Sequence, residues 1–489
     1  MTKDNKLHYI KTRFDGGVTN DLRADGSNVA SVIKHFDPRT RSHRLNPYRS
    51  YEDGDSSSST QKIINFLVVG STIYGLGVAS GTARVKVYTK TDLSNATWTT
   101  PANGESASRT KKDEVFVYYR KTGKIYGLHG GDQAWSFKTD GSAFAETAQA
   151  IAYTNAAQGL VHSKDDIYYQ PYDNKIAKND NDSWTVAALT LPSDMIITAI
   201  CEYGNYLAIG CRSQQTGGRS RVYLWDRDSS LSTLSEIIDW GAGELYVLDE
   251  IEGMLVGISS LSGDSGNLFK KVVFKYWDGG SGAKVFQELE CDLTSGVLGL
   301  GRSWQKVNNT LFFVLSITQR GTQNAGVWGI GRNKVGEPLA IWLDRLTDNS
   351  STVTPDGFIF YGDYVFISYS SLMAKTDDQA NFTATSVFED TIFNGGDSDK
   401  TKKLVRIAAM FDPLPASGQV VLKYKKDAET SFTTLFSYTT DDGISHATRI
   451  IEGAGALPTY KEITIRIEST GGAAITGLKH DSELLDLDT

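Results

Sequence analysis

"YGNYLAIGCRSQQTGGRSRVYLWDRD", Tyr203 to Asp228, contains two strand-length runs of branched and aromatic residues. A Gln- and Gly-rich break separates them, and a pair of aspartates closes the phrase. A turn, a strand, a loop and a second strand ending in an aspartate turn describe half of a four-stranded antiparallel sheet.

The phrase recurs. It returns as "STIYGLGVASGTARVKVYTKTD" from Ser71, "GKIYGLHGGDQAWSFKTD" from Gly123 and "DDIYYQPYDNKIAKND" from Asp165. After Tyr203 come "IEGMLVGISSLSGDSGNLFKKVVFKYWDGG" from Ile251, "VNNTLFFVLSITQRGTQNAGVWGIGRN" from Val307 and "YGDYVFISYSSLMAKTDD" from Tyr361. The starts are spaced by roughly 40 to 55 residues, the period of a propeller blade and too long for most helical solenoids. The expectation is an all-β chain with a seven-bladed β-propeller over 61–395, preceded by an extended N-terminal arm over 1–60. No 3.6-residue stripe of helical length competes with the strand pattern.

Six of the seven segments end in aspartate: Asp92, Asp140, Asp180, Asp228, Asp278 and Asp377. An aspartate carboxylate accepts a hydrogen bond from the backbone two residues on, so these are expected to shape hairpins and not to hold calcium. Beyond the polar linker "NGGDSDKTKK" lie "LVRIAAMFDPL", "GQVVLKYKKDA", "SFTTLFSYTT", "ATRIIEG" and "KEITIRIES". These five short alternating strands predict a C-terminal antiparallel β-sandwich over 404–489.

The 489 residues include 58 acids against 50 bases, a net charge of −8, which argues against specific nucleic-acid binding because phosphate neutralisation needs a surplus of cations. Cys201, Cys211 and Cys291 are too few and scattered for a disulfide framework or a zinc site. No run of 18 apolar residues and no apolar leader appears, so neither membrane insertion nor secretion is expected. The histidines at 8, 35, 43, 129, 162, 446 and 480 show no metal-ligand spacing, and His129 is the one placed for a central channel. No cofactor is expected.

Two chemistries compete for the propeller. Asp165, Asp166, Glu202, Glu244, Asp249, Glu250, Glu252 and Asp363 lie near strand ends, where a facing pair could serve a glycosidase. The tryptophans at 98, 135, 184, 225, 277, 304, 328 and 342 could stack on sugars, as in a lectin, although wedge-filling between sheets is the simpler role.

The front segment carries a basic strip, "IKHFDPRTRSHRLNPYRSYED", whose prolines forbid a long helix. Phe14, Gly16, Gly17, Phe36, Asp37, Leu45, Pro47, Tyr48 and Arg49 give it a likeness to the front end of tail-associated virion proteins of tailed bacteriophages. It resembles in particular the podophage tail-nozzle proteins, which combine such a front with a β-propeller. The resemblance implies a non-enzymatic structural protein of the tail, neck or tail tip, made in the host cytoplasm and assembled with other virion proteins and copies of itself. Arg39, Arg41, Arg44, Tyr48 and Arg49 are then the expected partner contacts, whether on the chain's own propeller or on a neighbour. The alternative is a carbohydrate-binding receptor-recognition propeller, engaging a host surface glycan, with a glycosidase as the third reading.

Overall fold

The computed structural model describes residues 6–14, 16–18, 30–38, 44–55, 61–79, 85–99, 115–128, 133–215, 218–228, 234–262, 269–292, 303–319, 322–332, 337–348, 352–370, 372–377, 381–382, 384–439, 447–448 and 457–485. Among them every regular element is a strand. The chain forms two compact units that interleave along the sequence. One takes 1–51, 328–350 and 377–489, and the other takes 52–327 and 351–376.

The larger unit is a succession of antiparallel meanders. Four have the full four strands: Val115–Tyr119 to Phe144–Ala150, Leu160–His162 to Ser183–Thr190, Met195–Tyr203 to Leu234–Ala242, and Glu244–Ile251 to Lys284–Glu290. Before them comes the meander Gln61–Val69, Thr72–Ala79, Val85–Lys90. After them come Trp304–Val307 and Thr310–Gln319, and then Gly357–Tyr361, Tyr364–Tyr369 and Leu372–Thr376, whose outer neighbour is Tyr51–Asp53.

The repeated phrase begins where it does because of the turn between the first two strands of each meander. Glu252 and Gly253 both have positive φ, as do Asn308 and Asn309, the signature of a type I′ hairpin. Gly70, Gly204 and Gly362 carry positive φ at the first turn position, as a type II′ turn requires. The aspartate turns follow in part. Asp92 Oδ1 accepts from the Ser94 amide at 3.1 Å and Asp140 Oδ1 from the Ser142 amide at 2.8 Å. In the Tyr203 segment that bond belongs to Asp226, which accepts from the Asp228 amide at 3.0 Å. Asp180 and Asp278 instead pair with Lys121 and Lys284.

Apolar wedges fill the space between neighbouring sheets. Tyr169, Ile176, Ile197, Leu207, Ile209 and Trp225 make one such cluster, and Ala208, Val222, Trp240, Leu245 and Leu255 the next. Side-chain clips add register. Ser220 Oγ donates to Gly243 O at 2.5 Å and accepts from the Leu245 amide at 3.1 Å, tying one meander to the next. Gln305 does the same to Phe360, accepting from its amide at 2.9 Å and donating to its carbonyl at 3.2 Å. Gly357 lies so close to Ile64 O that a Cβ would stand 2.5 Å from it, which brings the strand of Gly357 against the first meander.

The second unit contains two larger sheets and a two-stranded ribbon of Phe36–Asp37 and Asn46–Pro47. One orders Lys6–Lys11, Ile475–Leu484, Lys402–Phe411 and Ala447–Thr448. The other places Val32–Lys34 between Ala340–Leu346 and Ser386–Glu389, followed by Ile463–Thr470, Gln419–Lys426 and Thr433–Tyr438. Where the sequence suggests an arm over 1–60 and a sandwich over 404–489, front and C-terminal strands share these sheets. Phe14, Ile33, Phe36 and Leu45 are fully buried in this unit. Lys11 Nζ pairs with the buried Asp390 at 2.5 Å, and Tyr9 donates to the same carboxylate at 2.7 Å.

Candidate functional site

The first strands of four consecutive meanders, those containing Leu160, Glu202, Asp249 and Trp304, line a cleft of about 390 Å³. This lies within the range of small-molecule sites.

Register explains why charge gathers there. Glu202 pairs with Leu207, Glu250 with Leu255 and Lys306 with Leu311, each two residues ahead of its hairpin turn. Val68 and Phe360 hold the equivalent positions in other meanders, opposite Ile73 and Val365. Three adjacent meanders therefore carry glutamate, glutamate and lysine where others carry apolar groups. Asp249 and Trp304 sit beside them in the lining.

Lys306 Nζ donates to Glu250 O at 2.9 Å and to Glu250 Oε2 at 3.0 Å, and lies 3.8 Å from Asp249 Oδ1. Burial acts against its ammonium, but the bond to Glu250 and the charge of Asp249 outweigh it and raise its pKa. Asp249 Oδ1 accepts from the Glu250 amide at 2.7 Å. Burial pushes the Asp249 carboxyl above the usual aspartate value; Lys306 opposes the rise, and the charges of Glu250 and Glu202 add to it.

Glu202 is held by neutral donors. It accepts from the Ser163 amide and, at 2.8 Å, from Ser163 Oγ. Behind it, buried His162 faces Arg227, whose Nε donates to Asp165 Oδ2 at 2.7 Å. Burial and then Arg227 lower the His162 pKa, so the ring is neutral at physiological pH. Arg227 has φ 71°, a left-handed conformation costly for a residue with a Cβ, and its three contacts to Asp165, His162 and Asn205 O hold it there.

Of the carboxylates noted in the sequence, Glu202, Asp249 and Glu250 meet in the cleft. Asp165 serves Arg227 and Tyr169, Asp166 pairs with Arg120, and Glu244 with Arg212. Glu252 forms a turn, and Asp363 follows the turn glycine Gly362. Trp98, Trp135, Trp225 and Trp277 are buried, whereas Trp304 is half-buried and reaches the cleft. His129 lies outside the described residues. Lys306 escaped the sequence reading; its place two residues before the Asn308–Asn309 turn, matching Glu202 and Glu250, is the signal that finds it.

Of the expected partner contacts, Arg39 and Arg41 lie outside the described residues. Arg44 pairs with Asp412 at 2.7 Å. Tyr48 donates to Asp344 at 2.9 Å, with the Arg345 guanidinium 3.2 Å from its ring centre. Arg49 is half-buried.

No family model and no curated protein matches the sequence. Among solved structures the chain is similar to an exo-β-1,3-galactanase from Phanerochaete chrysosporium, at 12% identity and TM-score 0.34, over 89% of this chain and 100% of that one. It is similar to the Dos1 propeller at 11% identity and TM-score 0.41, over 68% and 96% of the two chains. A gluconolactonase from Xanthomonas campestris aligns at 10% identity and TM-score 0.34, over 68% and 98%. These likenesses concern the all-β, propeller-like fold alone. The expectation of a non-enzymatic chain is corrected: a galactanase and a gluconolactonase stand among the structures this chain is similar to.

Proposed function

We propose that the chain is a carbohydrate-binding β-propeller whose ligand occupies the cleft between Glu202, Asp249, Lys306 and Trp304. The observation that carries the reading is the placing of Glu202, Glu250 and Lys306 at equivalent strand positions beside a half-buried tryptophan. Carboxylates accept from sugar hydroxyls, and an indole face takes the C–H face of a pyranose, while the surrounding strands hold both in place. In this reading the meanders make seven blades. The last meets the first through Gly357 and Ile64, and the pairing of Lys375 with Glu52 holds the outer strand onto the last. The test is a glycan array followed by titration of any hit against Trp304→Ala. Saturable binding weakened about tenfold or more supports the reading, and binding indifferent to Trp304 counts against it.

A place in a tailed-phage particle is the second proposal, resting on the likeness of the front segment. Burial of Phe14, Phe36 and Leu45 makes that segment part of a folded unit that can present an assembly surface. Sedimentation of the full chain tests it, with a defined oligomer expected and a monomer at every concentration against it.

A further inference from the structure

The cleft has an uncompensated charge. Its lining holds three carboxyl groups, Glu202, Asp249 and Glu250, against one ammonium, Lys306. Lys306 already faces Glu250 O, Glu250 Oε2 and Asp249 Oδ1. Glu202 takes its hydrogen bonds from Ser163, a neutral donor. Arg227, the cation behind it, is turned to Asp165, His162 and Asn205 O, and Lys164 to Asn205. None of these cations is left to meet an acidic ligand.

We infer that the ligand of this cleft is a saccharide bearing a free amino group, and that uronic, sialylated or sulfated sugars are rejected. The inference rests on the carbohydrate-binding reading and names the class of sugar. An ammonium entering the cleft meets Glu202, which lacks a cation of its own, two further carboxyl groups that share the single Lys306, and an indole face able to attract it, all strengthened by partial exclusion of water. A carboxylate or sulfate entering the same space meets like charge with no free donor of opposite sign, which costs affinity at every approach. The hydroxyls of a neutral sugar find acceptors but no such attraction.

The experiment titrates the full chain with three trisaccharides: fully deacetylated chitotriose, cellotriose and trigalacturonate. At about 20 mM salt the amino sugar is expected to bind at least ~10-fold tighter than the neutral one, the gap narrowing at about 0.5 M as screening grows. The acidic sugar is expected not to bind. A Glu202→Gln/Asp249→Asn variant brings the amino-to-neutral ratio towards unity. Should that variant fail to fold, Lys306→Met removes the one cation of the lining and widens the ratio instead. Equal binding of amino and neutral sugars, or preference for the acid, overturns the inference and leaves the carbohydrate reading standing. If none of the three binds, both fall.

Discussion

Lys306 and Glu250 occupy equivalent positions on neighbouring meanders, and the lysine binds both the carbonyl and the carboxylate of the glutamate, at 2.9 and 3.0 Å. One side chain thus joins the two meanders and fixes one wall of the cleft. Lys306→Met is expected to weaken binding of a neutral saccharide several-fold through loss of that wall. Because both partners are about a third exposed, the cost in stability is expected to be only ~0.5–1 kcal/mol by chemical denaturation.

Asp249 tests function against stability. Burial raises its pKa in the folded chain, so its contribution to stability is fully present below the usual aspartate pKa and is lost as pH rises through the folded value. At neutral pH, then, folding works against its ionisation. Asp249→Asn is expected to stabilise the chain at pH 7 by about 1 kcal/mol while weakening amino-sugar binding several-fold. A variant that loses stability at pH 7 contradicts this assignment.

Lys275 gives a pH dependence of opposite sign. Its ammonium is buried against Trp240 O at 2.6 Å and Ala242 O at 2.9 Å, and burial lowers its pKa to about 8. Between pH 8 and the usual lysine value of 10.5 the unfolded chain holds more protons, so this residue makes stability rise with pH across that window. The rise in the wild type over Lys275→Met is expected to be on the order of 2 kcal/mol, read from denaturation midpoints at several pH values.

Gly257 reports on the wedge between meanders. A Cβ there would stand 2.7 Å from the Trp240 ring and 3.0 Å from a Leu245 methyl. Gly257→Ala is expected to cost about 1–3 kcal/mol by overpacking, without altering which sugars bind.

Asp390 tests whether the front segment belongs to its unit. Its carboxylate receives Lys11 and Tyr9, all buried. Asp390→Ala leaves the Lys11 ammonium buried without its carboxylate, and a loss of about 3–5 kcal/mol is expected. A loss below ~1 kcal/mol would mean that the segment is only laid on the surface.

The meanders are legible in the sequence because each pairs strand-length apolar runs with turn residues at fixed offsets, as at Glu252–Gly253 and Asn308–Asn309. The cleft is half legible. Glu202, Asp249 and Glu250 stand out as carboxylates near strand ends, but so do Asp165, Asp166 and Glu252. Register, counted back from each turn, picks out Glu202 and Glu250, and Asp249 joins them as the residue before Glu250. Lys306 is hidden in the run "WQKVNN", where a lysine between Gln305 and Val307 looks like any solvent-facing strand position. The front segment misleads for another reason. Its strands Val32–Lys34, Phe36–Asp37, Asn46–Pro47 and Tyr51–Asp53 are too short to leave a period, and Val32–Lys34 pairs with the far-off strands of Leu343 and of Val387 to Glu389. Short strands with remote partners read as an extended arm.

The most direct test of the central claim is calorimetric titration of the full chain and of Trp304→Ala with deacetylated chitotriose and cellotriose. The account predicts saturable binding to the intact chain, weakened about tenfold or more by loss of the indole. Absence of binding to either saccharide, or binding that Trp304→Ala leaves unchanged, contradicts it.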